Sequence, residues 1–332
     1  MALEPTLRLE VQDASQAGAV RRAAVALAQR LAFDETTAGR LALIVTEIAT
    51  NIVKHAGRGE ILLCRRPAAV DVLGLDRAPG IANVARSLED GFSTAGSAGT
   101  GLGAVRRLAS HFDIYSREGQ GTAVLATVAT SAVSGRAVSG LEVGGLAVAK
   151  AGETECGDAW VDEHRSSGLA LVVVDGLGHG AGAQEAAVAG VHAFGASRGR
   201  APHERLASMH DALRPTRGAA AAVVEIDLDR RVVAFAGLGN IGGVIVGPDG
   251  MRHLVSHNGT LGHVGRRLGG FTYPWAPKGV LVMYSDGLAT LRDLAAYPGL
   301  LAHHPRLIAG VLYRDFGRGR DDATVVVVKE AA

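Results

Sequence analysis

Apolar residues recur along the first part of the chain at the spacings of helices and strands. Between 35 and 56 they return every three or four positions, with Ile44, Ile48 and Ile52 on one side, which predicts an amphipathic helix. A second helix is predicted over 14–32. Short apolar runs predict strands at 6–12, 60–65, 70–75, 113–116 and 122–128. This order of elements predicts an α/β sandwich.

A polar stripe runs along the helix predicted over 35–56. Glu47, Asn51 and His55 are spaced four residues apart, so at about 3.6 residues per turn they share one side of the helix. The isoleucines pack into a core, which leaves the polar side free for chemistry.

The pattern changes after residues 129–140, which are small and polar without periodicity. Such a segment is typical of a linker, so we predict an N-terminal domain over 1–130, a linker over 131–140 and a second domain over 141–332. Helices are expected in the second domain at 181–196, 203–213 and 303–316. Strands are expected at 141–149, 169–174, 219–226, 232–235, 244–246, 280–284 and 324–329.

Composition narrows the choice of partners and compartment. Apolar residues make up 48% and charged residues 20% of 332 residues, which indicates a globular protein. A formal net charge of +1 without a long basic run predicts no nucleic-acid partner and no membrane partner. With neither a leader nor a spanning segment in the pattern, we expect a cytoplasmic protein. Cys64 and Cys156 have no spacing for a disulfide framework or zinc and are expected to be buried.

A glycine-rich segment, GFSTAGSAGTGLG, follows the predicted strand at 70–75 after a short interval. Gly99, Gly101 and Ala104 satisfy the dinucleotide pattern G-x-G-x-x-A, but that fingerprint needs an apolar strand directly before it. The polar stretch 90–97 stands there instead. The remaining interpretation is a phosphate cradle, in which a helix beginning near Gly103 directs its free N–H groups at an anion.

Four features follow one another along the chain: the polar stripe, Asp76 in DRAPGI, the glycine-rich segment and Thr122 in GQGTAV. Their order and spacing resemble those of the GHKL ATPase fold. Within that fold the chain resembles the RsbT-like serine kinases of anti-sigma and stressosome systems, over roughly residues 5–130. The resemblance implies that Asn51 holds Mg²⁺ against the phosphates of ATP, that Glu47 takes a proton from a substrate hydroxyl, and that Asp76 accepts a hydrogen bond from adenine. The other implied nucleotide-binding residues are His55, Gly80, Gly99, Gly101, Gly103 and Thr122.

Ala78 departs from that family's usual D-x-G-x-G loop, since it stands at the first glycine position. If the position requires a positive φ, alanine costs about 1–2 kcal/mol. We would then expect weaker nucleotide binding.

Four acidic sites in the second half of the sequence each stand beside a glycine or another aspartate, and most of them follow an apolar run. They are Asp158, Asp175, Asp286 and the pair Asp321 and Asp322. Strands that end in carboxylates gather those groups at one sheet edge, where cations are needed to offset their repulsion. Oxygen ligands select Mg²⁺ or Mn²⁺. Any single Asp-Gly could be only a turn, and GLGNIGG, residues 237–243, also has the pattern of a tight turn.

These motifs, DGLGHG above all, resemble the PPM-type serine/threonine phosphatases of the SpoIIE/RsbX branch, over about residues 141–330. The resemblance implies an αββα sandwich in which Asp158, Asp175 and the Gly176 carbonyl bind metal. Asp286 and Asp321 would complete the shell of a second ion, with Asp321 favoured over Asp322. Asp158, Asp175 and Asp286 are thereby implied in catalysis.

Together the two resemblances predict a two-domain α/β protein that phosphorylates and dephosphorylates Ser/Thr of a STAS-domain partner. The cofactors would be ATP, Mg²⁺ and Mn²⁺, and a homodimer is left open. One alternative is an ATP-gated phosphatase without kinase activity. A second is a partner-switching adaptor that acts by binding alone.

Overall fold

The computed structural model describes residues 6–88, 101–130, 140–263 and 268–331. By packing, the chain divides into two compact units. The N-terminal unit comprises Thr6–Ser134 and Ala302–Arg314, and the C-terminal unit comprises Gly135–Leu301 and Asp315–Ala332. The domain boundaries at 130 and 140 stay predictions. The sequence did not predict that the segment 302–314 would pack with the N-terminal unit.

The N-terminal unit is built on a five-stranded antiparallel sheet with the order β1-β2-β3-β5-β4. Its strands are β1 (Leu7–Val11), β2 (Gly59–Arg66), β3 (Ala69–Asp76), β4 (His111–Arg117) and β5 (Gly121–Ala129). Its helices before residue 130 are α1 (Ala14–Arg30), α2 (Glu35–Asn51), α3 (Val84–Ser87) and α4 (Gly101–Leu108).

Helices α1 and α2 begin at aspartates and pack on one face of this sheet. The carboxylates of Asp13 and Asp34 each accept a 2.9 Å hydrogen bond from a backbone N–H in the first turn, as N-caps do. The predicted packing side of α2 is confirmed, since Ile44, Ile48 and Ile52 are buried. The regular helix ends at Asn51 and continues as a single π-helical turn, Ile52–Ala56.

The opposite face of the same sheet is covered by the segment 302–314. Its helix, α7 (Pro305–Phe316), has every residue from Pro305 to Arg314 buried. Gly310 lies against β3, where an added Cβ would stand 3.1 Å from the Leu73 side chain and 3.4 Å from that of Leu75. The sheet is therefore apolar on both faces.

The C-terminal unit contains two five-stranded antiparallel sheets. One has the order β13-β10-β9-β8-β7 and the other β12-β11-β14-β15-β6. Their facing side chains form one aliphatic core, in which Leu171 and Phe235 of the first sheet join Leu281 and Val326 of the second. The strands are β6 (Leu141–Val148), β7 (Asp158–Arg165), β8 (Gly168–Gly176), β9 (Ala219–Asp227), β10 (Val232–Leu238), β11 (Gly242–Gly247), β12 (Gly250–His253), β13 (Phe271–Pro274), β14 (Val280–Tyr284) and β15 (Ala323–Glu330).

Two helices, α5 (Ala181–Ala196) and α6 (Pro202–Leu213), pack on the outer face of the first sheet. Arg205 of α6 is buried with its guanidinium 3.3 Å above the ring of Phe194, where it also donates to Glu163. Cys64 and Cys156 are free and buried, as expected. A membrane crossing would need a longer, more apolar helix than any found in the described part of the chain.

Candidate functional site

A cavity of about 620 Å³ opens in the N-terminal unit beside the polar stripe of α2. Glu47, Asn51 and His55 all line it, so the π-helical turn keeps His55 on the same wall. Such turns are frequent at functional sites. Of the other predicted residues, Asp76, Gly80, Gly101 and Thr122 also line the cavity.

The Asn51 amide has an unsatisfied polar atom on this wall. Among the described residues its buried Nδ2 has no hydrogen-bond partner. Gly101 stands directly beside it, since an added Cβ would lie 3.2 Å from Asn51 Oδ1. A buried amide needs partners, and a phosphate oxygen would satisfy Nδ2, while Oδ1 is the type of ligand that Mg²⁺ prefers. The residues present therefore fit a nucleotide with its magnesium ion.

Asp76 is fixed at the end of β3 by two backbone donors. Its Oδ1 accepts hydrogen bonds from Ala78 N at 3.0 Å and from Thr122 N at 3.2 Å. Burial raises the pKa of this carboxyl, although the two backbone donors act in the opposite direction. One carboxylate oxygen is thus held in place while Asp76 faces the cavity, which suits recognition of an amino group.

The loop after Asp76 shows where glycine is required. Gly80 has φ +85°, and an added Cβ would overlap the Arg117 carbonyl. Gly121 has φ +89°, and an added Cβ would overlap the Asp76 carbonyl. Ala78 does not adopt a positive φ, so the condition for a strain penalty at this position is not met.

The structure describes only part of the predicted phosphate cradle. Gly103 is buried inside α4, and the part of the cavity wall that the structure describes contains Gly101 but not Gly103. Gly99 lies outside the described residues. The phosphate cradle made by Gly99, Gly101 and Gly103 stays a prediction.

Ser116 belongs to this site although the sequence did not single it out. Its hydroxyl accepts from Ile81 N at 2.8 Å and lies 2.9 Å from Thr122 Oγ1. It thereby ties the loop after Asp76 to β5. A lone serine in a strand carries no motif, so only the strand pairing reveals this role.

In the C-terminal unit, Asp158 and Asp175 stand opposite each other on paired strands. They are register partners at the ends of β7 and β8. Asp158 is 5% exposed, and its Oδ2 accepts a 2.6 Å hydrogen bond from the Ser285 hydroxyl. Burial raises the pKa of Asp158 to about 7. Burial, followed by repulsion from Asp158 and Asp286, raises the pKa of Asp175 to about 9.

Asp286 and Asp321, the other predicted carboxylate ligands, are close enough to Asp175 for their charges to raise its pKa. Asp286 accepts a 2.6 Å hydrogen bond from Asn240 Nδ2, so the GLGNIGG turn contributes to the site. Asp322 is buried and accepts from Lys150 N and Gly157 N, each at 2.7 Å. Asp321 is exposed. Asp322 therefore holds the loop before Asp158, and the choice of Asp321 as a metal ligand stays a prediction.

The donor set of this cluster fits hard divalent cations, because carboxylates that raise one another's pKa are stabilised by positive charge. In the described residues, no three or more acidic, histidine or cysteine side chains are arranged to hold one ion.

The two folds and their sites define a two-domain α/β protein, with a GHKL-type ATPase sandwich followed by a PPM-type phosphatase fold. The histidine kinase-like ATPase domain family matches residues 11–128, and the stage II sporulation protein E (SpoIIE) family matches residues 165–330. The serine/threonine-protein kinase RsbT of Bacillus subtilis (strain 168) is 35% identical over 104 residues, 30% of this chain and 78% of that protein. The chain therefore belongs to the SpoIIE family, with an N-terminal domain of the RsbT type.

Solved structures agree with this assignment. A protein from work on the bacterial stressosome as a modular system for secondary messenger signalling is 28% identical with a TM-score of 0.54, over 57% of this chain and 99% of that one. RsbX in complex with magnesium is 20% identical with a TM-score of 0.50, over 57% of this chain and 96% of that one. At this identity, the RsbX structure shows only that the fold is shared. The predicted fold class and both family resemblances are confirmed.

Proposed function

We propose that this chain is a bifunctional regulator that phosphorylates and dephosphorylates Ser/Thr of a STAS-domain partner in the cytoplasm. The observation that carries the proposal is the presence in one chain of an RsbT-type cavity lined by Glu47 and Asn51 and of the carboxylates Asp158, Asp175 and Asp286. The RsbT relative and the stressosome structure support a partner from stress signalling.

For phosphorylation, the proposed general base is Glu47. It lies one helical turn before Asn51 on the same cavity wall, so a hydroxyl placed against the terminal phosphate would be within reach of its carboxylate. Asp76 would accept from the adenine amino group, and Asn51 would hold Mg²⁺. Bound Mg²⁺ would neutralise charge on the transferred phosphoryl group.

For dephosphorylation, Asp158, Asp175, Gly176, Asp286 and Asp321 are the proposed holders of two Mg²⁺ or Mn²⁺ ions. Bound ions would supply a water of lowered pKa for in-line attack on the phosphoryl group. The Ser285 hydroxyl orients the Asp158 carboxylate, and the Asn240 amide orients that of Asp286.

The test separates the two activities, because opposed reactions in one chain would cancel. Asp175→Asn protein is incubated with ATP, Mg²⁺ and a candidate STAS-domain protein, whose intact mass is then measured. A gain of one phosphoryl group is expected, and it should disappear on adding wild-type protein and Mn²⁺ after ATP is exhausted. The matched control is the double variant Glu47→Gln, Asp175→Asn, which should bind ATP but leave the partner's mass unchanged.

The same experiment distinguishes the alternatives. No mass gain with ATP still bound would contradict kinase activity on that partner and favour an ATP-gated phosphatase. Mn²⁺-dependent hydrolysis of p-nitrophenyl phosphate by the wild type, absent in Asp175→Asn, would exclude an adaptor that acts by binding alone.

A further inference from the structure

Arg217 of the C-terminal unit stands at the sheet edge where β8 ends and β9 begins. Gly176, the last residue of β8, is the register partner of the first residue of β9. The pairing continues one step beyond the strands, since the backbone N–H of Leu177 donates a 3.0 Å hydrogen bond to the Gly218 carbonyl. Arg217 directly precedes Gly218, so it lies alongside the loop that follows Asp175 in DGLGHG.

The Arg217 side chain lies across this loop. A Cβ added to Gly182, in the first turn of α5, would stand 2.6 Å from Arg217 Nε and 2.7 Å from its Cζ. A Cβ added to Gly178 would stand 3.5 Å from Arg217 Nη1. The guanidinium therefore contacts the chain both before and after His179, and at Gly182 only the lack of a side chain leaves room for it.

The main chain around Arg217 is anchored. Its carbonyl oxygen lies 3.0 Å from His263 Nε2. Gly218 N donates a 3.0 Å hydrogen bond to Thr216 Oγ1, and this hydroxyl donates in turn to the Leu213 carbonyl at 2.8 Å. Gly218 has φ +82°, a conformation that glycine adopts without strain. The side chain therefore reaches the loop from a fixed point of the backbone.

The guanidinium has no anionic partner in the part of the chain that the structure describes. Arg217 is exposed, and no carboxylate of the described residues lies within salt-bridge distance of it. Glu153, which reaches the same loop, is paired with His179 instead, with 2.8 Å between Oε1 and Nδ1. Other arginines of the same unit do have carboxylate partners, among them Arg165, Arg198, Arg205 and Arg231. A guanidinium held in place without a carboxylate is suited to an anion that arrives from solution.

The proposed phosphatase ligands define which anion that is. Asp158 and Asp175 are register partners at the ends of β7 and β8, and Arg217 lies along the loop that leaves β8. A phosphorylated substrate has to bring its phosphoryl group to this edge, and the phosphoryl oxygens that do not face metal need hydrogen-bond donors. A guanidinium presents its donors as a rigid fork that matches two phosphate oxygens.

We propose that Arg217 is a substrate-binding residue of the phosphatase site, and that its guanidinium donates hydrogen bonds to the phosphoryl oxygens of a phosphoserine or phosphothreonine. The inference rests on the proposed function, in which Asp158 and Asp175 serve dephosphorylation. It adds recognition of the phosphate dianion to a site whose proposed side-chain metal ligands are all acidic.

The experiment uses the full chain and two probes, p-nitrophenyl phosphate as substrate and inorganic phosphate as ligand. KM and kcat are measured at saturating Mn²⁺, and the Mn²⁺ concentration for half-maximal hydrolysis is measured separately. The Kd of inorganic phosphate is measured by calorimetry in the presence of Mg²⁺, which gives a readout that does not depend on turnover. Folding of every protein is monitored by circular dichroism.

Two variants of Arg217 are compared with a matched control. Arg217→Met removes the charge, whereas Arg217→Lys keeps the charge but lacks the fork of a guanidinium. The control is Arg214→Met, which removes the same charge three positions away. Arg214 is also exposed, but it forms a 3.1 Å ion pair with Asp211.

We expect Arg217→Met to raise both KM and the Kd of inorganic phosphate at least about tenfold, the lower range for hydrogen bonds to charged groups. The change in kcat should be smaller, because the contact is already made in the bound substrate. Arg217→Lys should lie between Arg217→Met and the wild type. The Mn²⁺ requirement and the Tm should stay at their wild-type values in both variants, and Arg214→Met should leave every quantity unchanged.

Three outcomes would overturn the inference and leave dephosphorylation standing. The first is a wild-type KM and Kd in Arg217→Met. The second is an altered Mn²⁺ requirement with an unchanged Kd for phosphate, which would limit Arg217 to offsetting charge among the carboxylates. The third is an equal loss in Arg217→Met and Arg214→Met, which would show a general effect of positive charge.

Failure of the proposed function gives a different result. A wild type that binds inorganic phosphate but does not hydrolyse p-nitrophenyl phosphate would contradict the phosphatase activity, while a weaker Kd in Arg217→Met would still support Arg217 as a phosphate-binding residue. A wild type that neither hydrolyses the ester nor binds phosphate would overturn both.

Discussion

The Ser285 hydroxyl donates a 2.6 Å hydrogen bond to Asp158 Oδ2, and its oxygen accepts another of 2.9 Å from Thr324 N. Ser285 is fully buried, so no water can replace it as a donor. We predict that Ser285→Ala lowers the free energy of unfolding by about 1.5–3 kcal/mol, the range for hydrogen bonds to charged groups. It should also weaken Mn²⁺-dependent hydrolysis, because the Asp158 carboxylate loses its orientation.

Ser197→Ala is the matched control for this change. Ser197 is also buried, but its hydroxyl donates to the backbone carbonyls of Ala193 and Phe194. It should cost about 0.5–1.5 kcal/mol and leave the Mn²⁺ dependence of hydrolysis as in the wild type. Equal losses of activity in both variants, measured at equal folded fractions, would contradict an orienting role for Ser285.

Divalent metal should stabilise the C-terminal unit through Asp175. Ions that bind only the folded state add about 2.7 kcal/mol at one hundred times their Kd, so Mn²⁺ should raise the Tm and EDTA should reverse the rise. Asp175→Asn should abolish both the shift and hydrolysis of p-nitrophenyl phosphate. Asp249→Asn, a change at an exposed turn, should keep both. A full Mn²⁺ shift in Asp175→Asn would remove this residue from the metal site.

Most elements of the fold were accessible from the sequence because their signals are local, but β7, β12 and β13 were not among the predicted strands. The spacing of Ile44, Ile48 and Ile52 predicts the packing side of α2, and the structure buries all three. The packing of α7 was not accessible, because an apolar helix does not specify which sheet it covers. Two of its long-range contacts, from Arg306 to Asp71 and from Arg314 to the Asp76 carbonyl, join residues more than two hundred positions apart.

The sequence revealed those site residues that stand in recognisable motifs. Asp175 lies in DGLGHG and could be found, whereas Ser116, Asn240 and Ser285 are single polar residues at strand ends or turns. Their hydrogen bonds to Thr122, Asp286 and Asp158 depend on strand register. Register is a tertiary property, since a shift by one residue turns every side chain to the other face.

Gly121 allows β5 to approach the Asp76 carbonyl that Arg314 also contacts. Gly121→Ala should weaken binding of a fluorescent ATP analogue about tenfold, which corresponds to about 1.4 kcal/mol, because the new Cβ displaces Asp76. The matched control is Gly119→Ala, since Gly119 has φ +76° with no atom within 4 Å of an added Cβ. It should share the backbone penalty of about 1–2 kcal/mol without the loss of affinity. Equal affinities in the two variants would contradict this account.

Ala78→Gly tests whether the departure from the D-x-G-x-G pattern weakens the nucleotide site. Because Ala78 does not adopt a positive φ, glycine relieves no strain, and its greater freedom in the unfolded chain should cost about 0.5–1 kcal/mol. We expect unchanged or slightly weaker affinity for the ATP analogue, measured by fluorescence titration. A tenfold gain in affinity would show that alanine obstructs the site.

Acid should destabilise the N-terminal unit through His304, which precedes α7. Burial lowers the pKa of this imidazole from its ordinary 6.5 to about 4, against the opposing effect of Asp71. His111, whose ring lies 5.0 Å away, and the arginines Arg66 and Arg306 further disfavour its protonated form. Its Nδ1 accepts a 3.1 Å hydrogen bond from Arg306 N, which a proton on that atom would remove.

The sign of the pH dependence follows from these two pKa values. Between about pH 4 and 6.5 the unfolded chain binds more protons at His304 than the folded chain does. Stability from this residue is therefore complete above pH 6.5 and is lost as the pH falls towards 4, by at most about 3 kcal/mol. His304→Asn should flatten the dependence of Tm on pH across this window, because asparagine can accept from Arg306 N as an N-cap without titrating. An unchanged slope in His304→Asn, measured from pH 4.5 to 7, would assign the acid sensitivity to other groups.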